Sequence, residues 1–453
     1  MNKPTAKQLY CMLWRWHFYA GLFAMPFIIM LSITGAIYLF KPQIDAFNTA
    51  DYKNLTITGE LASADNQVAA ALTAVPGATF SAYQLPSKIH DAATIVVRSG
   101  RDQLLVYVHP QTLKLLGIRN EKNELLQFAH DLHGELLLGR FGSILVELAA
   151  CWAIVLVLTG VYLWWPRNAK GLAGILYPRV TLKGRLFWRE LHSVFGIWIS
   201  CCVLFLLISG LPWAFIWGNA FNEVRALTGT SASKQDWQIT GHSHHGTTQA
   251  NTINNATTTK ATPLSLQAIV ERAQQLPVAP PVILRPPSHA SGASATPWIK
   301  QSVNHWTISS ATQNRPLQTD TELDAYTGAV LSHSDFSQKH IIDRVVGVGI
   351  AAHEGQLFGW LNQLLGLLTA LGLVAMSIAG FIMWRLRAPA KQLGAPPKHP
   401  HATLGTGFMI IIISAAILLP ALGLSLIALA LLDFLVLTRL PKIKNWLGLS
   451  SDY

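Results

Sequence analysis

The chain has 453 residues, of which 51% are hydrophobic and only 13% are charged, and its formal net charge is +11. This composition is too apolar for an ordinary soluble protein of that length, so it indicates an integral membrane protein. The positive charge does not require nucleic acid as a partner, because the basic excess lies in short segments beside the apolar stretches.

Four uninterrupted apolar stretches are long enough to cross the hydrocarbon core of a bilayer, which is roughly 30 Å thick. They span residues 18–40, 144–165, 194–217 and 357–384. The first lacks a cleavage motif and is predicted to be a retained anchor. A longer apolar block, 404–437, is interrupted by Pro420 and Gly423, which predicts a hairpin of two short spans. The sequence therefore predicts about six transmembrane helices.

Basic residues predict the orientation of these helices. Segments 1–15, 166–189, 385–402 and 439–453 hold sixteen Lys or Arg residues and a single acid, Asp452. The positive-inside rule places such segments in the cytoplasm. Both termini are therefore expected in the cytoplasm, and the two long intervening segments on the opposite side of the membrane.

These observations give predicted boundaries along the whole chain. In order, they are a cytoplasmic N-terminus with the first span (1–40), an extracytoplasmic domain (41–140), the second span (141–165), a basic cytoplasmic loop (166–189), the third span (190–217), a second extracytoplasmic domain (218–357) with a flexible His-, Thr- and Asn-rich insertion (228–262), the fourth span (358–384), a cytoplasmic loop (385–403), the hairpin (404–438) and a basic cytoplasmic tail (439–453).

Two patterns of residue spacing repeat among the four spans, one in the first and third spans and the other in the second and fourth. In the first and third spans, a histidine precedes a glycine by four residues and a hydroxyl–glycine pair by 17 and 18: His17, Gly21 and Thr34-Gly35, then His192, Gly196 and Ser209-Gly210. At the second and fourth spans, a histidine is followed by glycines at +6 and +27 and by tryptophan at +31: His133, Gly139, Gly160 and Trp164, then His353, Gly359, Gly380 and Trp384. Chance does not easily produce both registers, so the sequence indicates a tandem duplication.

The extracytoplasmic segments repeat as well. Pro76, Pro86 and Ser87 recur 201 residues later, each set following a helix-like stretch, and a strand–turn–strand pattern at 108–115 recurs at 323–330. Each segment is therefore predicted to be a small α+β unit, a helix followed by a meander. Because each copy has an even number of spans, both enter the membrane in the same sense, about a pseudo-twofold axis along the membrane normal.

This axis pairs His17 with His192 near the cytoplasmic face and His133 with His353 near the opposite face. One interpretation is that they are ordinary interfacial residues, since tryptophans lie nearby; such a belt, however, needs no fixed spacing to a glycine. We therefore expect metal or haem ligation. A planar macrocycle between two imidazoles is favoured over zinc, which needs four converging ligands. Small residues would make room for it between the helices: Gly21, Gly35, Gly139, Gly160, Gly196, Gly210, Gly359, Gly366, Gly372 and Gly380.

Two further residues are secondary candidates. His130 shares a helical face with His133, but its counterpart in the second copy is Ile350, so we predict that His130 lies beside the haem or its propionates, or simply at the surface. Glu147 is the one acid within the four apolar stretches, which makes it a functional candidate; the alternative is a buried carboxylate bonded to a Ser or to backbone. The insertion also contains His242, His244 and His245, for which a flexible loop is favoured over metal capture.

These motifs resemble the PepSY-associated transmembrane proteins, an iron-regulated bacterial inner-membrane family that includes ferric-siderophore reductases. The resemblance covers nearly the whole chain, and its external segments resemble PepSY domains. It is carried by residues 16–21 (WHFYAG), 132–139 (LHGELLLG), 190–196 (ELHSVFG) and 353–359 (HEGQLFG). The first external turn departs from the family, with Leu113-Lys114 where Gly-Glu is common.

The resemblance implies haem b bound between the transmembrane helices, and electrons passed outward to a ferric siderophore or another periplasmic ferric chelate. The two histidine pairs then predict two haems per chain, with His17, His192, His133 and His353 as axial iron ligands. Covalent c-type haem is excluded because the chain has no CxxCH motif. Bis-histidine ligation leaves iron no open position, so such haems relay electrons. Some relatives carry a fused reductase module; here the donor is expected to be separate, a quinol or a cytosolic reductase.

Two other functions remain compatible with the sequence. The first is a haem conduit to a different periplasmic acceptor, such as copper, a quinone or a sulfur compound. The second is a haem-free binding or regulatory membrane protein whose PepSY domains contact another protein. The histidine register argues against the second function, whereas no feature of the sequence separates the first from ferric-chelate reduction.

Overall fold

The computed structural model describes residues 6–120, 122, 124–166, 171–230, 262–287, 304–389, 392–396 and 405–449. Its helices are α1 (Ala6–Leu39), α2 (Lys41–Asn48), α3 (Ala64–Ala74), α4 (Leu125–Glu135), α5 (Gly139–Trp164), α6 (Gly184–Gly210), α7 (Phe215–Leu227), α8 (Leu266–Gln274), α9 (Ile341–His353), α10 (Trp360–Arg385), α11 (Thr406–Leu418), α12 (Pro420–Leu435) and α13 (Pro441–Trp446). Its strands are β1 (Thr79–Gln84), β2 (Ala93–Ser99), β3 (Asp102–Val108), β4 (Leu115–Arg119), β5 (Val282–Arg285), β6 (His305–Ser310), β7 (Thr319–Asp324) and β8 (Val330–Asp335).

Helices α1, α5, α6 and α10 form a four-helix bundle. Each is long and apolar enough to cross a membrane, and each overlaps one of the four predicted spans, which are thereby confirmed as long apolar helices. Helix α1 packs against α5 and α10, and α6 packs against the same two, so α1 and α6 lie diagonally opposite each other. Large apolar side chains such as Leu158, Phe205 and Leu368 are exposed on the outside, as expected where lipid replaces water.

The C-terminal apolar block forms a bent pair of helices. The helix direction bends by 119° between α11 and α12, with Pro420 as the first residue of α12. They contain 13 and 16 residues, or about 20 and 24 Å at 1.5 Å per residue, which is short of a full span. The described residues thus give four spanning helices, or five if the bent pair counts as one, and the predicted total of six is not confirmed.

The chain after this pair returns to the end of the bundle where α1 begins. Arg15 Nη2 donates to the carbonyl of Gly448 over 2.9 Å, and the Tyr19 hydroxyl donates to the carbonyl of Leu447 over 2.6 Å. The backbone N–H of Leu393, just beyond α10, donates to the carbonyl of Trp446. The first and last described parts of the chain therefore lie at the same end of the bundle.

Both of the long segments predicted to be extracytoplasmic contribute to one eight-stranded antiparallel sheet, in the order β4-β3-β2-β1-β5-β6-β7-β8. The helix followed by a meander is present in each segment, as predicted. The sequence did not predict that the two meanders join, which they do where β1 pairs with β5, Tyr83 opposite Leu284. The core includes Ile95, Ile269 and Leu284, all fully buried.

Helices α3 and α8 strengthen this junction by capping each other. Each begins with its own serine cap, Ser63 and Ser265. The carboxylate of Asp65 in α3 also accepts hydrogen bonds from the backbone N–H groups of Leu266 and Gln267 in α8. In return, Gln267 Oε1 accepts from the N–H of Ala64 over 2.9 Å. Because free N–H groups at helix starts need acceptors, these bonds stabilise the union of the two segments.

The two equivalent turns adopt the same backbone conformation despite their different residues. Leu113 in the β3–β4 turn has φ +60°, and Gly328 in the β7–β8 turn has φ +68°. In the first turn His109 Nδ1 accepts two backbone N–H groups, and in the second Asp324 Oδ1 does the same. The left-handed conformation is natural for glycine and unfavourable for leucine, so the departure from the family pattern at Leu113 strains the turn without changing its shape.

Candidate functional site

The structure places the four repeated histidines along one cavity inside the bundle. His17 and His192 lie near the beginnings of α1 and α6, whereas His133 and His353 lie in α4 and at the end of α9. All four line the same cavity of about 1040 Å³. That volume is at the upper limit of the roughly 300–1,000 Å³ typical of small-molecule and cofactor sites.

His17 and His192 face each other across the bundle. Their ring centres are 6.2 Å apart, and the ring planes are nearly perpendicular at 88°. A bond from imidazole to a metal is about 2.0 Å long, and with about 1.1 Å from nitrogen to ring centre on each side, two imidazoles sharing one metal ion have centres about 6.2 Å apart. The spacing of this pair would let both imidazoles bind one metal centre.

His133 and His353 form the second group, at the opposite end of the bundle. The pKa of each is lowered to about 4, mainly by burial, and in His133 the neighbouring His353 and His130 contribute to the lowering. Both imidazoles are therefore neutral at neutral pH, which is the form that binds metal ions. The ring of His353 also contacts Trp213, with ring centres 5.7 Å apart.

Each histidine is held through its Nδ1 atom. Hydroxyl groups approach three of them: Thr159 approaches His17 at 3.0 Å, and Thr34 and Ser209 approach His133 and His353 at 2.9 Å. Each hydroxyl also donates its hydrogen to a backbone carbonyl one turn earlier, so it must accept from the imidazole. The proton is therefore on Nδ1, and the lone pair is on Nε2.

His192 has the same tautomer, but its hydrogen-bond acceptor is a backbone carbonyl and not a hydroxyl group. Its Nδ1 lies 2.9 Å from the carbonyl oxygen of Met376, which can only accept a hydrogen bond. The residue corresponding to Thr159 in this copy is Ala379, which has no hydroxyl to offer. All four Nε2 atoms are thus available as ligands, and none has a hydrogen-bond partner among the described residues.

The repeated glycines pack directly against the imidazoles. If these glycines carried a Cβ atom, that atom would lie close to the Cε1 atom of a histidine. The distances would be 3.3 Å from Gly35 to His133, 3.1 Å from Gly160 to His17, 3.5 Å from Gly210 to His353 and 3.7 Å from Gly380 to His192. These four glycines therefore leave space for the histidine rings. Gly139 and Gly359 instead adopt φ of +57° and +69° where α5 and α10 begin.

The two histidine pairs lie at opposite ends of the bundle. Thr34, the partner of His133, follows His17 by 17 residues in α1, which corresponds to about 26 Å along a helix. Ser209, the partner of His353, follows His192 by the same interval in α6. One pair is thus near each end of the membrane-spanning part of the molecule.

The secondary candidates have different surroundings. His130 lines the cavity, but its side chain is 38% exposed and its Nδ1 lies 3.1 Å from the carboxylate of Asp131. Glu147 is buried and accepts hydrogen bonds from the backbone N–H groups of Ile216 and Trp217. These contacts match the backbone-bonded alternative for Glu147, since they cap the start of α7. His242, His244 and His245 lie outside the described residues.

A buried ion pair connects α7 to the helix that carries His353. Arg225 donates from Nη1 and Nη2 to the two carboxylate oxygens of Asp343 in α9, at 2.7 and 3.0 Å, and both side chains are buried. Such forked pairs fix geometry well. Glu147, α7, Arg225 and Asp343 together position α9, and with it His353. Sequence reasoning missed this connection because its members are far apart in the chain.

No group of three or more His, Cys, Asp or Glu residues within the described ranges is arranged to hold a metal ion. The arrangement that is present places two histidines at each end of the cavity, and two such pairs could serve a cofactor that brings its own equatorial ligands. Sequence reasoning found the four histidines but assigned no role to Thr34, Thr159, Ser209 or Met376. A hydroxyl residue immediately before the glycine, in three of the four cases, was the available signal.

Comparison with known proteins adds one finding. A family model described as the PepSY-associated TM region matches residues 14–387, a stretch that contains the four histidines and most of the chain. No curated protein matches the chain.

Proposed function

Because the chain belongs to the PepSY-associated TM family, in agreement with the resemblance of its histidine motifs, we propose that it is a di-haem b membrane oxidoreductase that delivers electrons to a periplasmic ferric chelate. The observation that carries the proposal is the pairing of four histidines with anchored Nδ1 atoms along one buried cavity. The 6.2 Å spacing of His17 and His192 supports bis-histidine ligation at that end.

Haem bound at the two places would supply reversible one-electron chemistry near each face of the membrane. The chain itself supplies the axial nitrogens, and it fixes their tautomer through the hydroxyl and carbonyl acceptors. The cavity lining is mostly apolar, and burial keeps the imidazoles of His133 and His353 neutral at neutral pH. Because His17 and His192 lie on the diagonally opposite helices α1 and α6, the packing of both helices against α5 and α10 sets the separation of that pair.

The proposed arrangement is a tandem duplication in the bacterial inner membrane, with the His17 and His192 end in the cytoplasm. Arg185, Arg189 and Arg387 line the cavity at that end, in agreement with the positive-inside rule. The contacts of Arg15 and Tyr19 with residues 447–448 support a C-terminal segment on the same side as the N-terminus. On this topology α11 and α12 enter the membrane and return, and the eight-stranded sheet is periplasmic.

The proposed substrate is a ferric siderophore or another ferric chelate, reduced at the periplasmic end of the cavity below the sheet. Fe(II) is a softer ion than Fe(III) and binds hard oxygen ligands less tightly, so reduction would release the iron. The proposed electron donor is separate, a quinol or a cytosolic reductase. No feature of the described residues favours copper, a quinone or a sulfur compound as the acceptor instead.

Reconstitution of the purified full-length chain in lipid vesicles tests this proposal. The vesicles contain the impermeant reductant dithionite, and the outside solution contains a ferric hydroxamate chelate and a colour reagent specific for Fe(II). We expect Fe(II) to appear outside at least tenfold faster than in protein-free vesicles. Vesicles with a chain in which both His192 and His353 are alanine are the matched control. A wild-type rate equal to that control would overturn the proposal.

A further inference from the structure

Two arginine side chains lining the cavity have an unsatisfied donor. Arg387, just beyond α10, lies at the His17 and His192 end, and Arg315, between β6 and β7, lies at the His133 and His353 end. In both, Nε is buried and has no hydrogen-bond partner among the residues that the structure describes. Burying an unpaired polar group is unfavourable, and such groups are rare in folded proteins.

The surroundings of Arg387 hold its guanidinium in place but leave this donor free. The group lies 5.3 Å from the ring centre of Trp14 and 4.9 Å from that of Phe18, and its Nη2 atom donates to the carbonyl of Gly394. Aromatic packing of this kind orients the flat guanidinium without using its Nε hydrogen. The position is therefore prepared for one further acceptor.

Arg315 is less constrained by the protein. The carboxyl group of Glu354 is close enough to interact electrostatically with Arg315. Among the described residues, however, no ion pair within 4.0 Å joins Glu354 to Arg315. No hydrogen bond from the Arg315 guanidinium to a described residue is present either. Arg225 provides a contrast, because its Nε donates to the carbonyl of Thr230 and its two Nη atoms to Asp343.

We propose that Arg315 and Arg387 each bind a propionate of the haem at their own end of the cavity, an inference that rests on the proposed function. Haem b carries two carboxylates, and guanidinium is the side chain best matched to a carboxylate, through parallel charge-assisted hydrogen bonds. A carboxylate that is buried in the cavity without a counter-charge or a hydrogen-bond donor is strongly disfavoured. One arginine beside each histidine pair supplies that counter-charge where a ligated haem needs it.

Redox titration and haem-transfer measurements on the full-length chain test this inference. With R315Q we expect one haem to pass to excess apomyoglobin roughly tenfold faster or more, the effect of losing a hydrogen bond to a charged group. The midpoint potential of that haem should fall, because removing a nearby positive charge stabilises the oxidised iron, which carries one more positive charge, relative to the reduced iron. R387Q should change the other haem, and R315K should restore much of the potential by restoring the charge.

Exposed arginines on the same elements are matched controls. Arg344 on α9 and Arg385 at the end of α10 are exposed, and R344Q and R385Q should leave both haems unchanged. Wild-type potentials and transfer rates for both haems in R315Q and R387Q would overturn the assignment while leaving the di-haem proposal intact. If E354Q reproduced R315Q in both readouts, Arg315 would serve Glu354 and not a propionate. A wild-type chain without haem would overturn both proposals.

Discussion

Replacing His353 by alanine is expected to remove one of two haems and to abolish reduction of external ferric chelate. His353 Nδ1 is anchored to Ser209 and its Nε2 is free, so the substitution removes a ligand without introducing a charge. His17 and His192, about 26 Å away along the helices, keep their own hydrogen bonds. The remaining haem should therefore still accept electrons from the cytoplasmic side.

Haem content and the rate of Fe(II) formation in the vesicle assay measure these two effects. Two histidines serve as controls: His333, bound to Thr321 in the sheet, and His130, held by Asp131. Their alanine variants should keep two haems per chain. The ligand assignment is wrong if H353A retains two six-coordinate haems, or if its ferric reductase activity equals that of the wild type.

Replacing His192 by alanine should have the opposite effect on the two haems. The substitution removes the imidazole that faces His17 at 6.2 Å, so the cytoplasmic-side haem is lost. The group held by His133 and His353 stays bound, because Thr34 and Ser209 still orient those rings. Electrons from a donor inside can no longer reach it, whereas a reductant added outside still can.

Vesicles carrying H192A distinguish these routes. With dithionite inside, Fe(II) formation should fall at least tenfold, to the protein-free rate. With dithionite outside, the spectrum of one reduced haem should appear at once. If internal reductant still reduces that haem at the wild-type rate, electrons do not pass through the His17 and His192 position, and the proposed direction of transfer is wrong.

The sequence predicted the membrane helices and the histidine positions because both depend on local pattern. Span length follows from hydropathy. The spacing from His17 to Gly35, or from His133 to Gly160, is a number of residues that can be read directly from the sequence. The structure gives those glycines a sharper role than predicted. Gly35 and Gly160 pack on the imidazoles of His133 and His17, a pairing between different helices that no count along the chain could give.

Features that depend on distant parts of the chain were not predicted. The β1–β5 pairing joins residues about 200 positions apart. The residues of these strands do not indicate that the strands lie in the middle of the sheet and not at its edge. The carbonyl of Met376 replaces a hydroxyl at His192, and a backbone acceptor leaves no sequence signal. Arg315 and Arg387 are two of the arginines that line the cavity, and neither belongs to a periodic pattern or a motif in the sequence.

The haem content of the purified wild-type chain is the most direct test of the central claim. A pyridine haemochrome assay, referred to protein concentration from amino-acid analysis, gives both the type of haem and its stoichiometry. We predict a b-type spectrum and two haems per chain, one for each histidine pair. A value near zero, with the protein folded and in its membrane, would contradict the account of the four histidines as ligands and the electron-transfer function built on it.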